Sequence, residues 1–241
     1  MKKIYFYNKQ REKIVGILYK KKINKGIIIC HGFEGSKDRD FIPQLAKRLS
    51  KKYNVMRFDF SGNGESEGRF EDQSYSKYIE ELNVAINYLK NLKINEIIVI
   101  GHSLGTNITI FEETKHKNID KLILLAPAIY VTGKIFKSTT ALLALIKGHI
   151  KFIDSWGKKR KLKRRFFFER ILYDPIKNIK KIKKPIFMIL GERDRVIDLK
   201  KSINLCKKIN INYNVVKGSG HCFTKEMYLN DMTNNIMKWI R

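Results

Sequence analysis

Proline and cysteine are scarce in this chain, at four and three of 241 residues. No proline-, glycine- or serine-rich stretch divides the sequence, so it reads as one continuous globular body without a linker. The cysteines, Cys30, Cys206 and Cys222, are odd in number and form no C-x-x-C pair. That excludes a disulfide framework or a zinc site as the organising principle. No apolar run reaches the length of a membrane span. The basic start, Met1 to Lys9, has no apolar core of signal-peptide length, and a reducing cytoplasm is the expected compartment.

Acidic residues are the third shortage. Lys and Arg number 50 against 23 Asp and Glu, for a formal net charge of +27. Such an excess suits an anionic partner such as nucleic acid, acidic lipid or an acidic substrate. The lysines are spread over nearly every predicted helix, however, and Asn and Ile are abundant with them. A general composition bias therefore explains most of the charge, and no specific nucleic acid partner is expected. The exception is Lys158-Lys159-Arg160-Lys161-Leu162-Lys163-Arg164-Arg165, dense enough to matter locally. Beside apolar helices, this run would suit peripheral contact with an anionic membrane surface.

What is present is a repeated alternation of short apolar runs with helical patterns. An opening hairpin is read over Ile4–Tyr7 and Ile14–Tyr19. Buried strands are read at Gly26–Cys30, Asn54–Phe60, Ile97–Ile100, Lys121–Pro127, Lys184–Leu190 and Tyr213–Val216. Helices are read at Arg39–Lys52, Ser76–Leu92, Leu104 to about Lys115, Asp198–Lys208 and Lys225–Ile240. This order implies an α/β fold, a mostly parallel twisted sheet with helices on both faces. Residues 128–183 break the alternation. They read as a helical cap inserted over the carboxyl edge of the sheet, between core segments 1–127 and 184–241.

One strand carries the chemistry. Ile97-Ile98-Val99-Ile100 runs into Gly101-His102-Ser103-Leu104-Gly105, a G-x-S-x-G turn that lifts a serine hydroxyl out of a buried strand before a helix. A serine needs a base to take its proton. His221 lies in a glycine-rich loop after the last strand and can reach the sheet edge. His102 is adjacent to Ser103 and points away from it, and His31 is read as hydrogen-bonded within its own loop. The base needs an acid to fix its tautomer. Asp194, after the preceding strand, is the choice; Asp198 more plausibly caps the helix starting there, and Glu192 and Asp59 are weaker alternatives. The order Ser103, Asp194, His221 is the one that G-x-S-x-G on a strand–turn–helix demands. Oxyanion donors are expected from the backbone N–H groups of Leu104 and of Phe33, in the loop His31-Gly32-Phe33. Leu142, Leu145, Ile146 and Phe152 of the cap are read as substrate-pocket residues. Asp59–Ser66 has a superficial phosphate-loop spacing but lacks the lysine, and a nucleotide site is not expected there.

These residues resemble the α/β-hydrolase fold superfamily nearly end to end. His31-Gly32-Phe33 is similar to its oxyanion motif, and Arg57 to Gly68 to its R-x-D-x-x-G-x-G-x-S-x-G loop. Phe70-Glu71-Asp72 and His221-Cys222-Phe223 look most like bacterial cinnamoyl and feruloyl esterases, within a class similar to serine aminopeptidases and monoacylglycerol lipases. The resemblance implies a small-molecule acyl ester substrate, an acyl-enzyme on Ser103, no cofactor or metal, and a lid over the pocket. Asn63 and Thr106 depart from the family pattern away from the chemistry. The basic, Phe-rich cap departs from it where a phenolic-ester pocket would lie. A lysophospholipase or monoacylglycerol lipase, a thioesterase or an acyltransferase would use the same three residues. A non-catalytic binding protein with a basic cap would need none of them.

Overall fold

A computed structural model describes residues 1–131 and 138–241. The first half of the core contains strands β1 (Lys2–Tyr7), β2 (Lys13–Tyr19), β3 (Lys25–Cys30), β4 (Asn54–Phe58), β5 (Glu96–His102) and β6 (Lys121–Leu125). Helices α1 (Ile42–Leu49), α2 (Tyr75–Asn91) and α3 (Leu104–His116) alternate with the later strands. A second group follows β6: α4 (Ser138–Lys147), β7 (His149–Ile153), β8 (Lys159–Lys163), α5 (Arg164–Leu172) and α6 (Pro175–Ile179). The core then resumes with β9 (Ile186–Gly191), α7 (Leu199–Lys208), β10 (Asn212–Val216) and α8 (Glu226–Ile240).

Eight strands form one sheet in the order β1-β2-β4-β3-β5-β6-β9-β10. The β1/β2 and β2/β4 pairs are antiparallel, and every other pair is parallel. Side chains alternate between the faces of a strand, and both faces are covered. Ile28, Val99 and Leu122 belong to one apolar cluster, with Leu82 and Ile86 of α2 and Ile108 of α3. Ile27, Ile29, Ile98, Ile100 and Ile123 belong to the other, with Leu45 of α1 and Ile236 of α8. That double burial is why the central strands are unbroken Ile, Val and Leu runs. Each such fully buried side chain contributes about 1.5–3 kcal/mol.

Two readings from the sequence are corrected. Helix α1 is shorter than Arg39–Lys52. Asp40 sits in the left-handed region at φ 52°, which cannot begin a right-handed helix, and proline occupies its first turn. The insertion, expected to be helical, contains the antiparallel hairpin β7/β8, with Ile150 opposite Leu162 and Phe152 opposite Arg160. The turn explains this. Asp154 Oδ1 accepts the N–H groups of Trp156 and Lys158, and Oδ2 accepts Arg160 Nε at 2.8 Å. The basic run is therefore split. Its first part alternates along β8 around the buried Leu162, and its end opens α5. Among the described residues, no helix is long and apolar enough to cross a membrane.

Candidate active site

Strand β5 delivers Ser103 to the carboxyl edge of the sheet. Its backbone is held at φ 52°, ψ −117°, a conformation costing a non-glycine residue about 1–3 kcal/mol. The neighbours over-determine it. Ser103 N–H donates to Leu125 O of β6 at 3.0 Å, and its carbonyl accepts both the N–H and the hydroxyl of Thr106. The turn is tight enough that the motif glycines are required by contact. A Cβ on Gly101 would lie 2.5 Å from Gly105 O, and one on Gly105 would lie 2.7 Å from both Cys30 O and His31 O.

Ser103, Asp194 and His221 come together although they lie on three separate loops. Ser103 Oγ is 3.0 Å from His221 Nε2, and His221 Nδ1 is 2.7 Å from Asp194 Oδ2. Since the carboxylate can only accept, Nδ1 carries the proton and Nε2 is left to accept the serine hydroxyl. Asp194 is itself fixed, because its other oxygen accepts the N–H groups of Val196 and Ile197 at 2.7 and 3.0 Å. Burial alone would raise its carboxyl. The His221 bond and charge, with those two N–H groups, more than offset this and hold it below the usual carboxylate range.

The alternative residues have other partners. Asp198 caps α7, accepting Lys201 N–H at 3.0 Å. Glu192 accepts Gly218 N–H, and Arg193 N–H donates to Ser219 O, so the two loops carrying Asp194 and His221 are stitched together. Asp59 is fully buried and accepts Lys37 N–H, Lys37 Nζ and Glu65 N–H. His31 accepts Phe60 N–H at Nε2, which leaves Nδ1–H to donate to Gly32 O at 2.8 Å. Burial holds its imidazole below the ordinary histidine value.

Two features escaped the sequence reading. His102 Nε2 lies 3.0 Å from His221 O, so the motif histidine touches the loop of the other histidine. Glu34 Oε2 accepts both the N–H and the hydroxyl of Ser155, tying the loop after β3 to the turn of the β7/β8 hairpin. The loop position of Glu34 beside Phe33 was visible in sequence; its partner was not, because the hairpin was not foreseen.

A cavity of about 580 Å³ opens on Ser103 and His221, lined by Phe33, Thr140, Ile150, Phe152, Val196 and the hairpin turn. Of the four expected pocket residues, only Phe152 lines it. Leu142 and Ile146 are exposed, and Leu145 is half-buried elsewhere. The reason is that α4 packs inward through its small residues, Ala141 and Ala144, and so turns its larger ones outward. Phe33 and Leu104 flank Ser103 in space and in sequence respectively, and Leu104 is the first residue of α3, where the helix dipole favours negative charge. Among the described residues, no group of three or more His, Cys, Asp or Glu side chains is placed to share a metal ion.

The family that matches residues 21–168 is described as serine aminopeptidase, S33 (Hydrolase_4). Among individual proteins, the chain is 26% identical over 230 residues to "Putative esterase/lipase 2" of Mycoplasma genitalium, covering 84% of this chain and 85% of that protein. Est1E from Butyrivibrio proteoclasticus, solved with ferulic acid bound, superposes with a TM-score of 0.80 at 22% identity, covering 98% of this chain and 97% of that one. The Pyrococcus furiosus esterase Pf2001 superposes at 0.74 with 20% identity, covering 99% and 91%. The fold is thus that of the α/β-hydrolases.

Proposed function

The chain belongs to the serine aminopeptidase S33 family of α/β-hydrolases, and from that premise we propose that it hydrolyses carboxylic esters through an acyl-enzyme on Ser103. The observation that carries the reading is the unbroken line of contacts from Ser103 Oγ through His221 to Asp194. His221 Nε2 takes the serine proton as Oγ attacks the acyl carbon. The oxyanion forms against the N–H groups of Phe33 and Leu104. The imidazolium, steadied by Asp194, gives its proton to the departing alcohol. Water, deprotonated by the same nitrogen, then attacks the acyl-enzyme and releases the acid.

The insertion, residues 128–183, serves as the lid of this pocket on a core made of residues 1–127 and 184–241. Apolar walls from Phe33, Ile150, Phe152 and Val196 favour a small to medium acyl group. An ester is favoured over a peptide with a free amino terminus. The two carboxylates at the rim are already engaged, Glu34 by Ser155 and Asp154 by Arg160. The free thiols of Cys30, Cys206 and Cys222 fit a reducing, cytoplasmic setting.

The test is labelling by a fluorophosphonate, followed by turnover of nitrophenyl esters of graded chain length beside an aminoacyl nitroanilide. Labelling and ester turnover that both vanish in Ser103→Ala support the reading. Anilide turnover exceeding ester turnover would make the chain a peptidase. Absence of labelling in the folded wild type would leave it a binding protein.

A further inference from the structure

Large apolar side chains left in solvent are concentrated on the insertion. On α4 these are Leu142, Leu143 and Ile146; on α5 they are Phe168, Ile171 and Leu172, all between 47% and 73% exposed. In each helix they recur at helical spacing, so each presents one outward apolar stripe. A soluble surface helix normally buries that stripe. Here α4 and α5 bury Ala141, Ala144, Phe166 and Phe167 instead, and keep a second apolar face outside. A cluster of this kind marks an interaction surface.

The charge around it selects the partner. Residues 138–172 hold ten Lys and Arg against two acids, Asp154 and Glu169. Both acids are buried and paired, with Arg160 and Arg165. Lys147, Lys151, Lys158, Lys159 and Arg164 are exposed, and none of them has an acidic side chain within ion-pair distance among the described residues. A second copy of this chain would bring like charge against like charge. An anionic lipid surface offers acyl chains to the apolar stripes and phosphate to the cations.

The same elements form the cavity. Thr140 of α4 and Ile150, Phe152 and Ile153 of β7 line it, and Ile153 is also 69% exposed, so the wall of the cavity continues onto the outer surface of the insertion.

We propose that the outer face of α4 and α5 docks on an anionic lipid surface, from which the Ser103 cavity draws its ester. The second half of this statement rests on the ester-hydrolase reading, whereas the docking does not. Docking is therefore measured with the full-length Ser103→Ala protein, by flotation with vesicles of phosphatidylcholine alone and of phosphatidylcholine mixed with phosphatidylglycerol. Binding is expected only to the mixed vesicles, and the triple variant Leu143→Gln, Phe168→Gln, Ile171→Gln is expected to reduce it roughly tenfold or more at physiological salt. A polarity-sensitive dye attached through Ile146→Cys should shift to the blue on the mixed vesicles, independently of whether the triple variant folds. Three results would each overturn the proposal: no flotation of the folded protein, equal flotation of the folded triple variant, or an unshifted dye. A dimer in solution that the triple variant dissolves would assign the face to a second copy instead.

Discussion

The imidazole of His102 and the backbone of His221 are joined, Nε2 to carbonyl oxygen, at 3.0 Å. Burial, reinforced by the charge of His221, pushes His102 down to about 3, so it is neutral at any working pH and its Nε2–H donates. Phe41 packs edge-on against the His102 ring and also against Phe223, two residues beyond His221. His102 is therefore a positioning residue that fixes the loop of the base. His102→Ala is expected to lower kcat by roughly 3- to 10-fold, the worth of one hydrogen bond, with KM little changed. His102→Gln, which keeps a donor, should restore part of it. Steady-state kinetics of the two variants check this, and equal losses in both would refute a role through that bond.

Asp194 and Asp198 are four residues apart and should behave differently on mutation. Asp194→Asn removes the acceptor that fixes the His221 tautomer, and kcat should fall on the order of 10⁴-fold while the fold persists. Asp198→Ala removes only the cap of α7 and should cost about 1 kcal/mol of stability with no change in rate. The depressed Asp194 carboxyl has a pH consequence too. Its stabilising contribution is complete above the ordinary carboxylate range and is lost only as pH falls through its lower folded value. Rate profiles and melts of both variants across pH test the pair.

The central strands and the line from Ser103 to Asp194 and His221 were legible because each is written locally. An Ile-Ile-Val-Ile run covered on both faces needs no knowledge of its partners, and G-x-S-x-G, the acid turn and the glycine-flanked histidine each sit directly after a strand. The insertion was not legible for an equally physical reason. Periodicity reveals that a helix has an apolar face but not whether that face meets protein or something else, so Leu142 and Ile146 were expected in a pocket and are found outside. The β7/β8 hairpin was hidden because its strands are short and its alternation is carried by lysines and arginines around Leu162. His102 and Glu34 act through backbone atoms and turns that only the folded chain brings near.

The Glu34–Ser155 clasp closes the hairpin turn over the site with bonds of 3.0 and 2.8 Å, and the Trp156 ring lies 4.0 Å from the Arg39 guanidinium. Both contacts hold the tip of β7/β8 to the core. Glu34→Ala should loosen the tip and speed tryptic cleavage at Lys158 to Lys161, because local opening exposes the chain. Gly35 N–H still closes on Gly32 O, so the turn containing Phe33 survives and kcat on a soluble short ester should hold. Time courses of limited proteolysis beside kinetics check this, and an unchanged cleavage rate would show that the clasp does not restrain the hairpin.

Glu112, inside α3, is fully buried, and neither carboxylate oxygen makes a hydrogen bond of good geometry. Burial, with the Glu113 and Glu80 charges added, pushes its carboxyl up to about 8; Lys90 and the Asn118 amide oppose this too weakly to offset it. His116 Nδ1, 3.4 Å away, gives little help, since burial keeps that imidazole below its ordinary value. In the unfolded chain Glu112 ionises near the ordinary value of 4.5, whereas in the folded chain it holds its proton to about 8. Between those limits the unfolded state has released a proton that the folded state retains, so stability must fall as pH rises and then level off above the folded value. Glu112→Gln removes the titrating group while keeping the volume. The variant should match the wild type near pH 5, within about 1 kcal/mol. By pH 9 it should exceed the wild type by on the order of a few kcal/mol, since each tenfold difference in proton affinity between the two states is worth about 1.4 kcal/mol. Urea or thermal melts across that range decide it. Parallel curves for the two proteins would mean that Glu112 is already solvated or paired when ionised, and that the alkaline slope belongs to other groups.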